Sequence, residues 1–149
     1  MLFRSLGYNY RMDGVQGAIL GVKLPRLLAW TEARRRNAAL YDKALAELPV
    51  ELPAPEKDGT HVYHVYSVLV KDRDRLRAEL GKQGIATGVH YSTPVHLQPC
   101  FAHLGHKGGS FPVSERLGRD LLSLPMFPEL TAENVTTVAK ALEGAIKNG

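Results

Sequence analysis

The stretch HYSTPVHLQPCFAHLGHKGGSFP, residues 90–112, holds four of the six histidines of this 149-residue chain, together with Tyr91, Gln98 and three prolines. Imidazoles at neutral pH can donate or accept hydrogen bonds, move protons or bind metal. The prolines restrict the backbone around them, and a loop of this length inside a compact domain is commonly functional. One sharp reading is a metal site, with His61 and His64 or His103 and His106 as ligand pairs. The spacing argues against it. His61 and His64 are three apart in a strand-like run and so face opposite sides, no cysteine pair assists, and HLGH at 103–106 lies on no expected helix. The blander expectation is a core-facing, hydrogen-bonded His64 and exposed histidines elsewhere. Cys100, the single cysteine, sits in an apolar PCF context and reads as a packed residue rather than a nucleophile.

A second polar cluster lies in GYNYRMDGVQGAIL, residues 7–20. Tyr8, Asn9, Tyr10 and Arg11 crowd into the turn before a helix start, where chain ends usually fray unless something ties them down. Taken by themselves, Tyr8, Tyr10 and Arg11 read as packing the helix entry. There is no glycine-rich phosphate loop and no G-x-S-x-G elbow.

The elements that must position these groups alternate between helical and strand-like patterns. Asp13 can cap a first helix with Val15, Ile19 and Val22 on one face. A second helix is expected from Pro25, striped with Leu27, Trp30, Ala38, Tyr41, Leu45 and Leu48. ELPAPEKDG, residues 51–59, makes a loop. HVYHVYSVLV, residues 61–70, reads as a strand with Val62, His64, Tyr66, Val68 and Val70 on one face. A helix over 73–83 follows, then Gly84 and a second strand over 85–91. The two strands form either a right-handed parallel unit or, with a partner inserted between them, an antiparallel sheet. Further helices are expected near 113–123, with Leu117 and Leu121, and from a Thr131 cap, with Val135, Val138, Leu142 and Ile146. The expected fold is α+β, a small sheet covered by helices.

Composition sets the outer limits. At this length one domain can bury roughly 70% of its unfolded surface. The chain is 44% hydrophobic and 23% charged, which places it among soluble globular proteins. Its net charge of +4 is too small an excess to specify a nucleic-acid partner, and Arg34–Arg36 point in different directions from a helix as a solvated face. No apolar stretch long enough for a membrane span and no signal peptide are evident, and one cysteine suits a reducing compartment; a cytoplasmic protein is expected.

Five blocks in order carry a resemblance: GYNYRMDGVQGAIL, VKLPRLLAWTEARRRNAALYDKAL, VYHVYSVLV, GIATGVHYSTPVHLQP and FPVSERLGRDLLSLPMFPELT. Together they resemble the DegT/StrS-type aminotransferases, the nucleotide-sugar aminotransferases that use pyridoxal phosphate and serve cell-envelope or antibiotic sugar biosynthesis. The resemblance is to the C-terminal portion of that fold type I architecture. It implies residues 1–24 as an interface loop and helix joined to a large domain, and residues 25–149 as the small domain. In similar enzymes the Schiff-base lysine lies in the large domain, and none of the lysines here, from Lys23 to Lys147, matches it. The chain alone is therefore expected to lack turnover, with the missing lysine encoded upstream.

The resemblance also implies partners and contacts. The reaction is transfer of an amino group from an amino acid, typically glutamate, to a keto group of a nucleotide-linked sugar. The loop matching Tyr8 to Met12 crosses a homodimer interface, where Asn9 bonds the cofactor phosphate held by the neighbouring subunit and Arg11 adds a positive fork nearby. His90, Tyr91 and His96 match the mouth through which sugar and nucleotide enter, while Gln98 and Pro99 shape the loop. This chain has Tyr91-Ser92-Thr93-Pro94 where many relatives place proline directly after the tyrosine. A non-catalytic nucleotide-sugar-binding or dimerisation module is the alternative. If the chain is part of a larger enzyme, parts of the Val15, Ile19 and Val22 stripe are expected to be apolar and exposed unless a dimer covers them.

Overall fold

The computed structural model describes residues 11–54 and 58–148. Helix α1 spans Gly14–Lys23. Its start is a reciprocal cap: Gln16 N–H donates to the Asp13 carboxylate at 2.8 Å, and Asp13 N–H donates to Gln16 Oε1 at 3.1 Å. Pro25 falls in a 3₁₀ turn, Leu24–Arg26, that joins α1 to helix α2, Leu27–Leu45. Proline fits there because its missing N–H is not needed in a first turn.

The core-facing side of α2 carries Ala33, Asn37, Ala38, Tyr41 and Leu45, all buried. Its expected stripe therefore holds from Ala38 onward, whereas Leu27 is left exposed. Polar groups fix α2 against the chain after the sheet. Asn37 Nδ2 donates to the Phe127 carbonyl and Tyr41 Oη to the Pro125 carbonyl, each at 3.0 Å. Tyr66 stacks on Tyr41 with ring centroids 4.8 Å apart and donates its hydroxyl to Asp42 at 2.6 Å. Burial pushes the Tyr41 phenol well above its usual range; for Tyr66 burial does the same, and the Asp42 carboxylate adds to it.

Two short antiparallel strands form the sheet, β1 (Tyr66–Leu69) and β2 (Leu121–Leu124), in the register Tyr66↔Leu124 to Leu69↔Leu121. Single antiparallel rungs extend it on both sides, Glu51 beside Leu69 and Gly88 beside Ser123. The segment at Gly88 thus runs parallel to β1 with β2 inserted between them, the second of the two arrangements the sequence left open. Helix α3 spans Arg73–Lys82, α4 Pro112–Asp120 and α5 Ala132–Lys147. Tyr41, Leu45, Tyr66, Val68, Leu76, Leu80, Leu122 and Leu142 fill the core between the sheet and α2, α3 and α5.

Several expectations are corrected by this sheet. The first strand begins at Tyr66, and His64 and Val62 are exposed rather than core-facing. The backbone leaves the extended path at Tyr63, whose φ is 47°. The carbonyls of Pro125 and Phe127, just beyond the end of β2, bond to α2 instead of extending a ladder.

The second strand, expected over 85–91, shrinks to the Gly88 rung. Its neighbours on β2 cannot continue it: Pro125 has no N–H, and the Leu121 N–H closes α4 onto the Leu117 carbonyl. β2 itself lies where the helix was expected to run on to residue 123. Cys100, expected to be packed, is exposed, on a surface 3₁₀ turn over Pro99–Leu104 with no buried residue.

α1 buries no residue. Val15, Ile19 and Val22 are 72%, 55% and 73% exposed, as expected for an uncovered stripe. Met12, Leu20, Leu24, Leu27 and Trp30 line an open groove beside it.

Candidate functional site

The loop after Gly88 folds back over α4, and two glycines set how closely. At Gly118, buried in α4, a Cβ would come within 2.9 Å of the Ser92 carbonyl oxygen and 3.2 Å of Pro94 Cδ. At Gly88 a Cβ would sit 2.5 Å from Cε1 of the His90 ring. A larger residue at Gly118 would push the loop off the helix, and one at Gly88 would displace the His90 ring.

Between this loop, the 3₁₀ turns Val95–Leu97 and Pro99–Leu104, and α4 lies an open cleft of about 520 Å³. His90, Tyr91 and His96, singled out from the sequence, all line it. Tyr91 is 78% exposed, and its ring meets that of His90 edge-on at 5.7 Å. The opposing wall is apolar, with Phe101, Leu104, Phe111 and Leu117.

The two histidines are held differently. His90 Nδ1 lies 2.9 Å from Ser123 Oγ, leaving the rest of an exposed ring at the mouth. The His96 side chain is only 8% exposed, its Nε2 is 3.0 Å from Glu115 Oε1, and its ring packs on Phe111 at 4.7 Å. His96 is part of the wall, with one nitrogen already engaged.

Glu115 is the tie point of the surrounding loop. Gly109 N–H reaches both carboxylate oxygens at 2.9 Å and Phe111 N–H reaches Oε1 at 3.2 Å. These backbone donors hold the Glu115 carboxyl below its usual range, against a smaller opposing effect of burial, with His96 adding to the lowering.

Sequence reasoning missed Glu115, Phe111 and Ser123, and weighed His106 only as a metal ligand. Phe111 and His106 lay inside the quoted loop, and their edge-on contact at 5.1 Å depends on the loop turning back on itself. Ser123 carried no signal, being one small residue in an apolar run.

Of the remaining expected contacts, Asn9 lies outside the described residues. Arg11 is exposed ahead of α1 and does not line the cleft. Pyridoxal phosphate requires an amine for its aldehyde and donors for its phosphate. The cleft lining contains no lysine or arginine, and every described lysine is exposed on other surfaces. The cleft therefore offers no amine for that cofactor's aldehyde, and no step is assigned through it.

The fold and cleft together define a helix-covered α+β unit with a histidine-bearing mouth and an apolar wall. The chain belongs to the DegT/DnrJ/EryC1/StrS aminotransferase family, whose sequence model matches residues 1–143. It is 49% identical over 140 residues to a pleiotropic regulatory protein of Geobacillus stearothermophilus, spanning 92% of this chain and 38% of that one. It is 39% identical over 137 residues to dTDP-3-amino-3,4,6-trideoxy-alpha-D-glucose transaminase of Streptomyces venezuelae, spanning 91% and 36%.

Among solved structures, S. venezuelae DesV in complex with a ketimine intermediate superposes with a TM-score of 0.87 at 38% identity, covering 95% of this chain and 39% of that one. A family aminotransferase from Brucella abortus gives 0.84 at 35% identity, covering 93% and 37%. The chain thus spans well under half the length of these relatives.

Proposed function

We propose that this chain supplies the substrate-facing cleft of an enzyme that moves an amino group from an amino acid, glutamate by preference, to a keto group of a nucleotide-linked sugar. The observation that carries this reading is the convergence of His90, Tyr91 and His96 in one half-apolar cleft within a chain of this family. The His90 imidazole and Tyr91 phenol are of a chemistry suited to sugar hydroxyls and phosphate oxygens, and the apolar wall suits the face of a base or ring. His96, fixed by Glu115, shapes that wall.

Pyridoxal phosphate is the cofactor in this reading, with its amine partner supplied from outside the described residues. Asn9 and Arg11 are assigned to its phosphate in the partner subunit of a cytoplasmic homodimer, as neutral and charged donors. Residues 1–24 then form the joining segment and residues 25–149 the small domain, a division supported by the absence of buried residues in α1.

The test is a chimera in which this chain replaces the matching stretch of the S. venezuelae transaminase. The cofactor-loaded chimera is expected to aminate a dTDP-linked keto-sugar, with kcat/KM falling roughly tenfold or more in His90→Ala, the loss expected of one substrate hydrogen bond in a polar site. A folded, cofactor-loaded chimera without turnover would reject the reading. So would an internal imine formed by this chain alone. The cleft's lack of lysine favours one second reading, a module that binds nucleotide sugar without chemistry. It predicts that the chimera binds dTDP-glucose but transfers no amine.

A further inference from the structure

Two serines from neighbouring strands meet beneath His90. Ser67 of β1 stands opposite Ser123 of β2. The main-chain N–H and C=O of Ser123 are both taken by Gly88, so Ser67 and Ser123 form the non-hydrogen-bonded type of cross-strand pair, which brings side chains closest. Their hydroxyl oxygens are 2.7 Å apart, and Ser123 Oγ is 2.9 Å from His90 Nδ1. Ser123 is buried, and among the described residues its hydroxyl has these two partners.

Counting protons within the protein alone favours one direction for the row, Ser67 being half-buried. If Ser123 donated to Ser67, the Ser67 proton would have no acceptor among the hydrogen bonds of the described residues. In the order Ser67 to Ser123 to His90 Nδ1, both hydroxyl protons are used. Nδ1 then accepts, and the neutral ring carries its proton on Nε2. The close approach of Gly88 beneath Cε1 leaves the ring room to lie in this place.

We propose that Ser123, backed by Ser67, is a positioning residue that holds His90 in the Nε2–H tautomer, making the ring a hydrogen-bond donor toward the cleft. Such a donor matches the oxygen-rich diphosphate and hydroxyls of a nucleotide sugar. The ligand, though not the tautomer, rests on the reading of the cleft given above.

The deciding measurement is the 15N spectrum of the His90 ring in the labelled chain at a pH where the ring is neutral. The unaltered protein is expected to show an acceptor-type Nδ1 and a protonated Nε2. Ser123→Ala is expected to shift both nitrogens toward a freely exchanging tautomer mixture, and Ser67→Ala to shift them partway, with folding checked by circular dichroism. An Nδ1–H signature in the unaltered chain, or an unchanged ring in both variants, overturns the proposal. If Ser123→Ala does not fold, the unaltered spectrum and that of Ser67→Ala still decide between the two tautomers.

In titration with dTDP-glucose, Ser123→Ala is expected to weaken binding roughly three- to tenfold, the worth of one hydrogen bond. That loss should vanish when His90 is already Phe. A full loss that persists in the His90→Phe background counts against action through His90. Absence of any dTDP-glucose binding, with the tautomer results as expected, rejects the ligand assignment and supports the anchoring.

Discussion

Helices α5 and α1 are written in nearly the same way. Each opens on a reciprocal cap, Thr131 with Asn134 in α5 and Asp13 with Gln16 in α1, and each carries apolar residues at three- and four-residue spacing. Their fates differ. α5 buries Val135, Val138, Ala139, Ala141, Leu142 and Ala145 against α2, α3 and the sheet, while α1 buries nothing. Caps and periodicity therefore specify that a segment is helical and which face is apolar, but tertiary partners decide whether that face leaves water.

The strongest test of this contrast lies at Leu142, which is fully buried. Leu142→Ala removes packing and leaves a cavity, while alanine favours the helix at least as well as leucine, so any loss is tertiary. The expected cost is about 2–5 kcal/mol, read from urea unfolding at an unchanged m-value. A loss below about 1 kcal/mol would place α5 in the same class as α1.

The cap is the next largest effect. Thr131 Oγ1 accepts from Asn134 N–H at 3.2 Å, and Thr131 N–H donates to Asn134 Oδ1 at 3.2 Å. Thr131→Ala is expected to cost about 1 kcal/mol of global stability, because α5 is part of the cooperative core. Asp13→Ala removes an equivalent cap, yet should leave the global transition in place and speed amide exchange within α1 alone. Equal global losses from the two substitutions would contradict the comparison.

How much was readable beforehand follows the same division. The caps of α1 and α5, the apolar spacing of α1, α3 and α5 and that of α2 from Ala38 onward were legible because they are local. The sheet was not. LLSL at 121–124 continues the Leu117 and Leu121 spacing of the preceding helix, and only long-range pairing with β1 turns it into a strand. Likewise 61–65 has strand composition, but no partner is in register, since the carbonyls past Leu124 are bonded to Asn37 and Tyr41.

In the cleft, His90, Tyr91 and His96 were marked through the family resemblance carried by GIATGVHYSTPVHLQP. Their different environments were beyond it. The Glu115 carboxylate and the Ser123 hydroxyl are brought to the histidines from 19 and 33 residues away. No local pattern encodes such distances.

Glu115 offers a smaller, local effect. Its carboxyl is depressed in the folded state by the Gly109 and Phe111 N–H groups, so the stability it contributes is present above the ordinary carboxylate range and is lost as pH falls through the lowered folded value. Acidification should therefore lower the protection of the Gly109 and Phe111 amides, taken relative to their intrinsic exchange rates at each pH, before the core amides respond. Glu115→Gln should reproduce that loosening at neutral pH, with Leu142 still protected. Unchanged protection at Gly109 in the variant would show that the loop is held by other contacts.

The smallest expected effect bears most directly on α1. Serine and isoleucine have similar helix propensities, so Ile19→Ser isolates the value of whatever covers residue 19. With Ile19 55% exposed, the chain should change in stability by no more than about 0.5 kcal/mol, as at an ordinary surface position. Self-association seen by light scattering should fall, because an apolar face next to the Leu20, Leu24 and Trp30 groove has been interrupted. A loss of about 1.5 kcal/mol or more that grows with protein concentration would mean that this face is buried between copies in solution. In that case α1 would match α5 after all, differing only in that its cover comes from another molecule.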